Sequence, residues 1–567
     1  MRMALLLSAA VCLSGGCTPQ AAAPAAVEPP HLEQRGGVTQ LIVAGEPWLV
    51  LGCELGNSTA SSREYMQTVW PKLQASGVNT VLAVVSWEQT EPVEGQFDFT
   101  VVDGLLADAR THGVKLALLW FGSWKNGITS YTPAWVKRDT ERFPLAQTPE
   151  GRPLPILSTL GSESCAADAR AFAALMRHLK EVDAAEQTVI LVQIENEVGL
   201  HGHPRDYAPL AEAAFRGSVP AALTDYLTAH RETLLPETRA AWEAGGCRTQ
   251  GTWEEVFGRG DRAAEIFMAW NYAAYMERIA AAGRAEYDLP AFVNAWIVQP
   301  EDTRPGNYPS GGPQAQNHDI WRAAAPHIDL LTPDIYLDDF PAIAALYARG
   351  GNPLFVPESR SGQNGAANAA WAIGACGAIG YSPFGFERNC DQPVNDTFCR
   401  FYRKASSIAG RILAAQAEGR IGAAWLKGSE PRRVKEEIRL GDVRIVCELV
   451  SSGMRNGGAP QLTGGTYDPA AIGYLLAIRE ADGWLFLGSN VRVTFLPADG
   501  AGYVGLAKVT EGDFDAAGNW REGRWLNGDE IQLRYDLLYA VDEGFSGQGL
   551  NFGTPEPAFL KVELFNY

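Results

Sequence analysis

The sequence predicts an α/β fold, a (β/α)8 TIM barrel followed by a C-terminal β-sandwich-like domain. Three observations predict it. Short apolar runs alternate with helical stretches from about residue 40 to 390. Most of these runs lack period-two alternation, as expected of parallel strands buried on both faces. From about residue 421 glycine-rich connectors replace the helices and the strand-like runs become adjacent.

The strands are expected at 49–54, 80–85, 116–121, 189–194, 292–297, 330–336, 354–357 and 377–381. Helical stretches fall between them at 62–76, 101–112, 166–184, 262–282 and 366–375. Eight strands with intervening helices make the closed barrel the economical solution. Residues 200–288 exceed a simple crossover and are expected to carry extra helices over the barrel mouth, and 396–416 to form the helix after the eighth strand. Further strands are expected at 443–449, 474–479, 484–487, 491–496 and 560–565, with Asp482-Gly483 as a hairpin turn. The division that follows is 1–17 leader, 18–36 flexible linker, 37–420 barrel and 421–567 accessory domain.

The first residues read as an export signal: Met1-Arg2-Met3 is a positive start, residues 4–13 are apolar, and Ser14-Gly15-Gly16-Cys17 is a small-residue end. The apolar run is too short to span a bilayer. Cys17 is placed as a bacterial lipid acceptor would be, so a lipidated membrane tether and plain cleavage both stand open. Either way the protein is expected to be exported, to the periplasm or an outer-membrane surface.

With 47 basic and 66 acidic residues the net charge is −19, which argues against nucleic acid as a partner. Nine cysteines include Cys12 and Cys17 of the leader. Of the remaining seven, Cys390 and Cys399 are close enough in sequence to close one short loop. No cysteine pair has metal-ligand spacing, and His201-Gly202-His203 lacks companions, so neither metal nor cofactor is expected. A nucleophile elbow, a phosphate-binding loop and a dinucleotide fingerprint are all absent from the sequence. Oligomeric state is not legible.

Two glutamates stand out. Glu197 closes the run of the fourth strand, Gln193-Ile194-Glu195-Asn196-Glu197-Val198-Gly199, and Glu358 closes that of the seventh, Leu354-Phe355-Val356-Pro357-Glu358. Carboxylates beside apolar strands are costly unless solvated, paired or used. The C-terminal strand ends are where this fold places its chemistry. Residues two apart share a face of a strand, so Glu195 and Glu197 are both expected to point inward, with Glu197 beyond the last ladder bond and free to reach a ligand. One acid and one nucleophile are the minimal machinery for cleaving a glycosidic bond with retention. A carbohydrate substrate is therefore expected. Salt bridges inside the barrel are the alternative for the same glutamates.

Gln193-Ile194-Glu195-Asn196-Glu197-Val198-Gly199 resembles the acid/base motif of glycoside hydrolase family 35, the β-galactosidases, within the larger clan of retaining (β/α)8 glycosidases. The resemblance implies Glu197 as acid/base, Asn196 as the holder of the sugar 2-hydroxyl and Glu358 as nucleophile. Leu41 to Trp48 resembles the family's opening hairpin, and Trp87 with Glu91-Pro92 a segment lining the galactose pocket. Trp120 to Gly127, including Asn126, together with Asn294-Ala295-Trp296 and Pro333-Asp334-Ile335-Tyr336, resembles a bacterial branch with a trailing β-domain of undefined role. That branch is similar to enzymes that trim galactose from xyloglucan side chains. Two departures concern the sugar contacts: Gly122-Ser123-Trp124 replaces a Cys-Ala-Glu, and Ser359-Arg360 replaces an aromatic pair.

In the clan a tyrosine near the nucleophile keeps it ionised; Tyr336 fits that place, with a structural tyrosine as the alternative. Trp87, Trp120, Trp124 and Trp296 lie near strand ends, where rings either stack on a sugar or pack in the core. Lys125 and Arg360 read as solvated cations. Another sugar, such as a β-glucoside, an α-L-arabinopyranoside or a β-xyloside, fits the same machinery, and a non-catalytic glycan-binding surface lipoprotein that retains the barrel is the further alternative.

Overall fold

The computed structural model describes residues 28–450, 468–515, 518–531, 546–553 and 556–567. The leader over 1–17, with Cys17, lies outside the described residues.

Eight parallel strands close a barrel in sequence order: β1 (Val50–Glu54), β2 (Thr80–Ser86), β3 (Lys115–Lys125), β4 (Val189–Asn196), β5 (Ala291–Trp296), β6 (Leu330–Ile335), β7 (Phe355–Ser359) and β8 (Gly380–Pro383). All eight coincide with expected runs. Their interior is filled by Val50, Leu82, Leu119, Ile190, Phe292, Leu330, Phe355 and Ile379, one from each strand or its edge. Outward-facing residues such as Leu51, Val81, Leu118 and Val192 instead join the larger core beneath the helices. Both faces of each strand are thus dry, which is why the runs are continuously apolar.

Before the barrel, His31–Arg35, Val38–Val43 and Glu46–Trp48 form an antiparallel sheet. Leu41 and Val43 plug the barrel interior, and Gln40 donates to the Leu413 carbonyl. Residues 31–35, counted by composition with the linker, are therefore a strand, held by full register with Val38–Ile42.

Helix α1 (Ser162–Asp183) covers the wall between β3 and β4, and α2 (Asp261–Glu286) lies against it. The long excursion before β5 carries helices at Pro209–Arg216, Ala221–Ala229, Pro236–Ala244 and Trp253–Phe257, as its length required. Helix α3 (Gly362–Ala375) follows β7.

Ten antiparallel strands follow among the described residues: β9 (Ile421–Lys427), β10 (Lys435–Leu440), β11 (Val443–Leu449), β12 (Ile472–Glu480), β13 (Gly483–Ser489), β14 (Val491–Pro497), β15 (Val504–Phe514), β16 (Trp520–Trp525), β17 (Gly549–Phe552) and β18 (Ala558–Asn566). They form a six-stranded sheet, β9-β12-β13-β18-β15-β16, and a four-stranded sheet, β10-β11-β14-β17. Leu475, Ala477 and Phe486 of the larger sheet meet Ile445, Val493 and Phe495 of the smaller one. The alternate residues Tyr474, Leu476 and Ile478 pack toward the barrel. Within the larger sheet β12 is thus buried on both faces over most of its length, and α3 lies directly on β9 and β12. An ideal Cβ at Gly374 would stand 2.5 Å from Leu476 Cδ1 and 2.7 Å from Ala423 Cβ, so glycine permits that approach. Trp425 Nε1 donates to Asn368 Oδ1 at 2.9 Å across the same seam.

Candidate active site

Three carboxylates from three strands meet at the C-terminal mouth. Glu197, Asp334 and Glu358 each offer an oxygen, and the three oxygens lie within 4.8 Å of one another. Glu197 and Glu358 are each 7% exposed. Such a trio could share a cation, as could Cys390, Asp396 and Cys399 beyond β8.

Local backbone irregularities aim these side chains. Phe355 faces the interior and Val356 the outer core, so strict alternation would turn Glu358 outward. The pairing of β7 with β8 shifts register between Val356 and Ser359, across Pro357, which has no N–H to give the ladder. Glu358 then stands directly opposite Asp334 of β6. On β4, Glu195 and Glu197 both have positive φ, +60° and +45°. This overturns the expectation that the two share the inner face. Glu195 turns out to the wall beneath α1, where its carboxyl accepts backbone N–H bonds from Gly122, Ser123 and Trp124.

Each member of the mouth is held by a neighbour. Tyr336 Oη donates to Glu358 Oε1 at 2.6 Å, while Glu358 Oε2 has no partner among the described residues. Asn294 bridges three strands: its Oδ1 accepts the Glu197 N–H at 3.0 Å and its Nδ2 donates to Asp334 Oδ2 at 2.6 Å. Lys125 Nζ donates to Asn196 Oδ1 at 2.9 Å, leaving Asn196 Nδ2 as a buried donor with no partner among the described residues. Lys125 is buried, not the solvated cation its sequence context indicated, because the β3 backbone swings it over Phe121 and into the mouth. Arg360 does stay exposed, paired with Asp338.

Burial and the neighbouring Glu358 charge push Glu197 up to about 7. Glu358 is also raised by burial, but Lys125 and the Tyr336 hydroxyl pull it back toward the charged form. Burial and the surrounding carboxylates hold Asp334 well above its usual range. Glu54 closes β1 as Glu197 closes β4; it is fully buried, and desolvation together with Glu358 raises it well above the usual carboxylate range. Neither Glu54 nor Asp334 was singled out from the sequence, although the rule that found Glu197, a carboxylate ending an apolar run, applies equally to Glu54.

The aromatic expectations divide. Trp296 is half-buried at the mouth, edge-on to His201 at 5.4 Å, and Tyr336 is 37% exposed there. Asn126 is half-buried, with φ +52°, and its carbonyl accepts from His201 Nε2. Trp120, expected to face the sugar, points the other way: it is buried against Phe172 of α1 and donates to Asp168 Oδ1 at 2.8 Å. Trp124 packs on Tyr272 and Tyr275. Trp87 and Glu91 are likewise closed off, since the Trp87 indole donates to Glu91 Oε2 at 2.7 Å and Gly95 N–H satisfies the other oxygen. The four form structural contacts because their strand ends place them on the helix side of the wall.

Residues 57–256 match the glycoside hydrolase family 42 model, described as beta-galactosidase, and residues 398–537 match a domain of unknown function, DUF5597. The matched segment is of the clan A glycosidase kind. It builds β2 to β4 and carries Glu197. A beta-galactosidase of an Arthrobacter species is 29% identical over 188 residues, 32% of this chain and 24% of that protein. The chain thus spans about a quarter of the length of the curated relative it matches. Solved structures similar to this chain include the beta-galactosidase of Bacillus circulans sp. alkalophilus (14% identity, TM-score 0.43, covering 65% of this chain and 57% of that one). Another is the cold-adapted beta-galactosidase of Rahnella sp. R3 (17%, TM-score 0.42, 65% and 56%). The matched family is 42-like, whereas the motif of β4 pointed to family 35. A seven-residue motif built around the shared Asn-Glu pair identifies the clan more securely than the family within it.

Proposed function

We propose that this protein is an exported retaining β-galactosidase that releases terminal β-D-galactose from oligo- or polysaccharides, with galactosylated xyloglucan side chains as the plant-type substrate class. The observation that carries the reading is the approach of Glu197 and Glu358 to within 4.8 Å at the barrel mouth. Retention needs carboxyl groups roughly 5 to 5.5 Å apart, whereas inversion leaves room for a water at about 6.5 Å or more.

In this mechanism Glu358 Oε2, which has no partner among the described residues, attacks the anomeric carbon. Glu197, protonated in the resting state, gives its proton to the glycosidic oxygen as the bond to the leaving group breaks. A covalent glycosyl ester on Glu358 results. Glu197, now a carboxylate, takes a proton from water while the water oxygen attacks the anomeric carbon, freeing the sugar and restoring both residues. In this reading Asn196 Nδ2 donates to the 2-hydroxyl, which is supported by its lack of a partner among the described residues and by the Lys125 bond to the amide oxygen.

The test is a panel of 4-nitrophenyl glycosides, followed by a galactosylated xyloglucan oligosaccharide with the product anomer read by NMR. β-Galactose is expected as the first product. Cleavage of the gluco but not the galacto compound would overturn the sugar. Glu358→Gly should lose turnover and regain it with azide, giving an α-linked glycosyl azide; no rescue removes the nucleophile assignment.

A further inference from the structure

The strongest feature outside the mouth is the pair of buried carboxyls behind it. Between Trp120 and Lys125, β3 runs five residue steps while its partner β4 runs only two, from Ile194 to Asn196. The extra residues of β3 form a bulge whose N–H groups cannot join the ladder and must be satisfied elsewhere. They converge on one side chain. Gly122 N–H and Trp124 N–H donate to Glu195 Oε2 at 3.2 and 2.7 Å, and Ser123 N–H donates to Oε1 at 2.9 Å.

Asp168 of α1 backs this nest. It accepts Trp120 Nε1 at 2.8 Å, Ser123 N–H at 3.0 Å and Ser123 Oγ at 2.6 Å, and Ser123 Oγ also meets Tyr275 Oη at 2.8 Å. The Glu195 and Asp168 carboxyls share the Ser123 N–H and are both wholly buried; burial raises each, and the Asp168 charge raises Glu195 further. An ideal Cβ on Gly122 would fall 2.5 Å from Glu195 Oε1 and 2.7 Å from Asp168 Oδ1. Only a glycine lets both reach the bulge.

What the nest holds in register is the acid side of the mouth. Directly beyond it, Lys125 rejoins the ladder opposite Asn196 and donates to its side chain, and Asn126 N–H donates to the Asn196 carbonyl at 3.1 Å. Glu195 is itself two residues before Glu197, and the left-handed turn at Glu195 is what sends the two carboxyls to opposite sides of the wall. Non-glycine residues adopt that conformation at a cost and keep it only where surroundings over-determine it. Three backbone donors and Asp168 supply that determination.

We infer that Glu195 and Asp168 are positioning residues: a buried carboxyl pair that clamps the β3 bulge and thereby aims Glu197 at the leaving-group oxygen. This rests on the reading of Glu197 as acid/base. A brace of this kind acts on proton donation and not on attack by Glu358, so its loss falls on substrates that need a proton to depart.

The test compares Glu195→Ala, Gly122→Ala and Glu197→Ala in the full chain with the unmodified protein. Each is assayed on phenyl and 2,4-dinitrophenyl glycosides of whichever sugar the unmodified protein cleaves fastest. Dinitrophenolate leaves without assistance. In Glu195→Ala and Gly122→Ala, kcat/KM should fall by about 10²-fold on the phenyl compound, the scale of lost general-acid help, and only a few-fold on the dinitrophenyl compound. An equal loss on both substrates, or none on either, overturns the inference. Glu197→Ala separates the two readings. A flat leaving-group dependence there removes the acid/base assignment and the brace with it. A steep one there, beside uniform losses in the other two variants, removes the brace alone. Failure of both brace variants to fold assigns the pair to barrel stability and likewise overturns it.

Discussion

Tyr336 Oη stands 2.6 Å from Glu358 Oε1, reaching across from the end of β6 to the end of β7. The bond favours the charged carboxylate and offsets part of its burial. Hydrogen bonds to charged groups contribute about 1.5 to 3 kcal/mol, and 1.36 kcal/mol is one pKa unit. Tyr336→Phe should therefore raise the acid limb of the kcat/KM profile by about one to two pH units and leave the alkaline limb in place. Rates measured from pH 4 to 9 check this.

Lys125 lowers Glu358, Glu197 and Glu54 together from its place beside Asn196. Lys125→Met keeps the stem and removes the charge. Both limbs of the profile should move to higher pH, and KM should rise as the Asn196 amide loses its anchor. A shift confined to one limb would show that the lysine serves only one carboxyl.

As the general acid of the proposed mechanism Glu197 works protonated, and it is raised to about 7, so kcat/KM should be full below that pH and fall as the pH passes through it. The same shift has a stability consequence. An acid whose folded value lies above its unfolded value adds stability below the unfolded value and loses it as pH rises through the folded one. From 4.5 to about 7 that loss is about 3 kcal/mol. Glu197→Gln should thus melt at a higher temperature than the parent at pH 8, with the difference closing at pH 5.

Cys390 and Cys399 bring their sulfurs to 3.2 Å, both buried, behind the loop that follows β8. In an oxidising glutathione buffer the intact protein should lose two thiols and two hydrogens in mass. Closing a loop of this length contributes about 2 to 3 kcal/mol. Cys399→Ser should abolish both the thiol loss and the gain in melting temperature.

The barrel strands were legible because each is an apolar run buried on both faces, and the two catalytic candidates because they end such runs. Which way a side chain points at a strand end was not. That depends on the register slip at Pro357, the β3 bulge and the positive φ of Glu195, a non-glycine whose turn has no local sequence signature. Trp87, Trp120 and Trp124 were placed at the right end of the barrel, but on the wrong side of its wall. Lys125 reads as an isolated surface charge until the bulge is known. Asp334 lies inside a quoted tract, and what distinguishes it, standing opposite Glu358, is a tertiary fact. In the trailing sheets β9, β10, β15, β16 and β17 were missed: β9 carries Gly-Ala-Ala near its start, and exposed residues interrupt the apolar pattern elsewhere, as in the half-open β15 and the solvent-facing β16.

The seam between α3 and the larger trailing sheet has a bearing on how this chain can be shortened. The helix that follows β7 is paved with alanine and glycine, residues that cannot shield themselves from water, and the sheet is its roof. Trimming the chain after the last barrel helix would leave that strip bare behind Glu358. The β-region is in this sense an outer wall of the barrel, and a minimal catalyst would have to carry it or rebuild the helix with bulkier side chains.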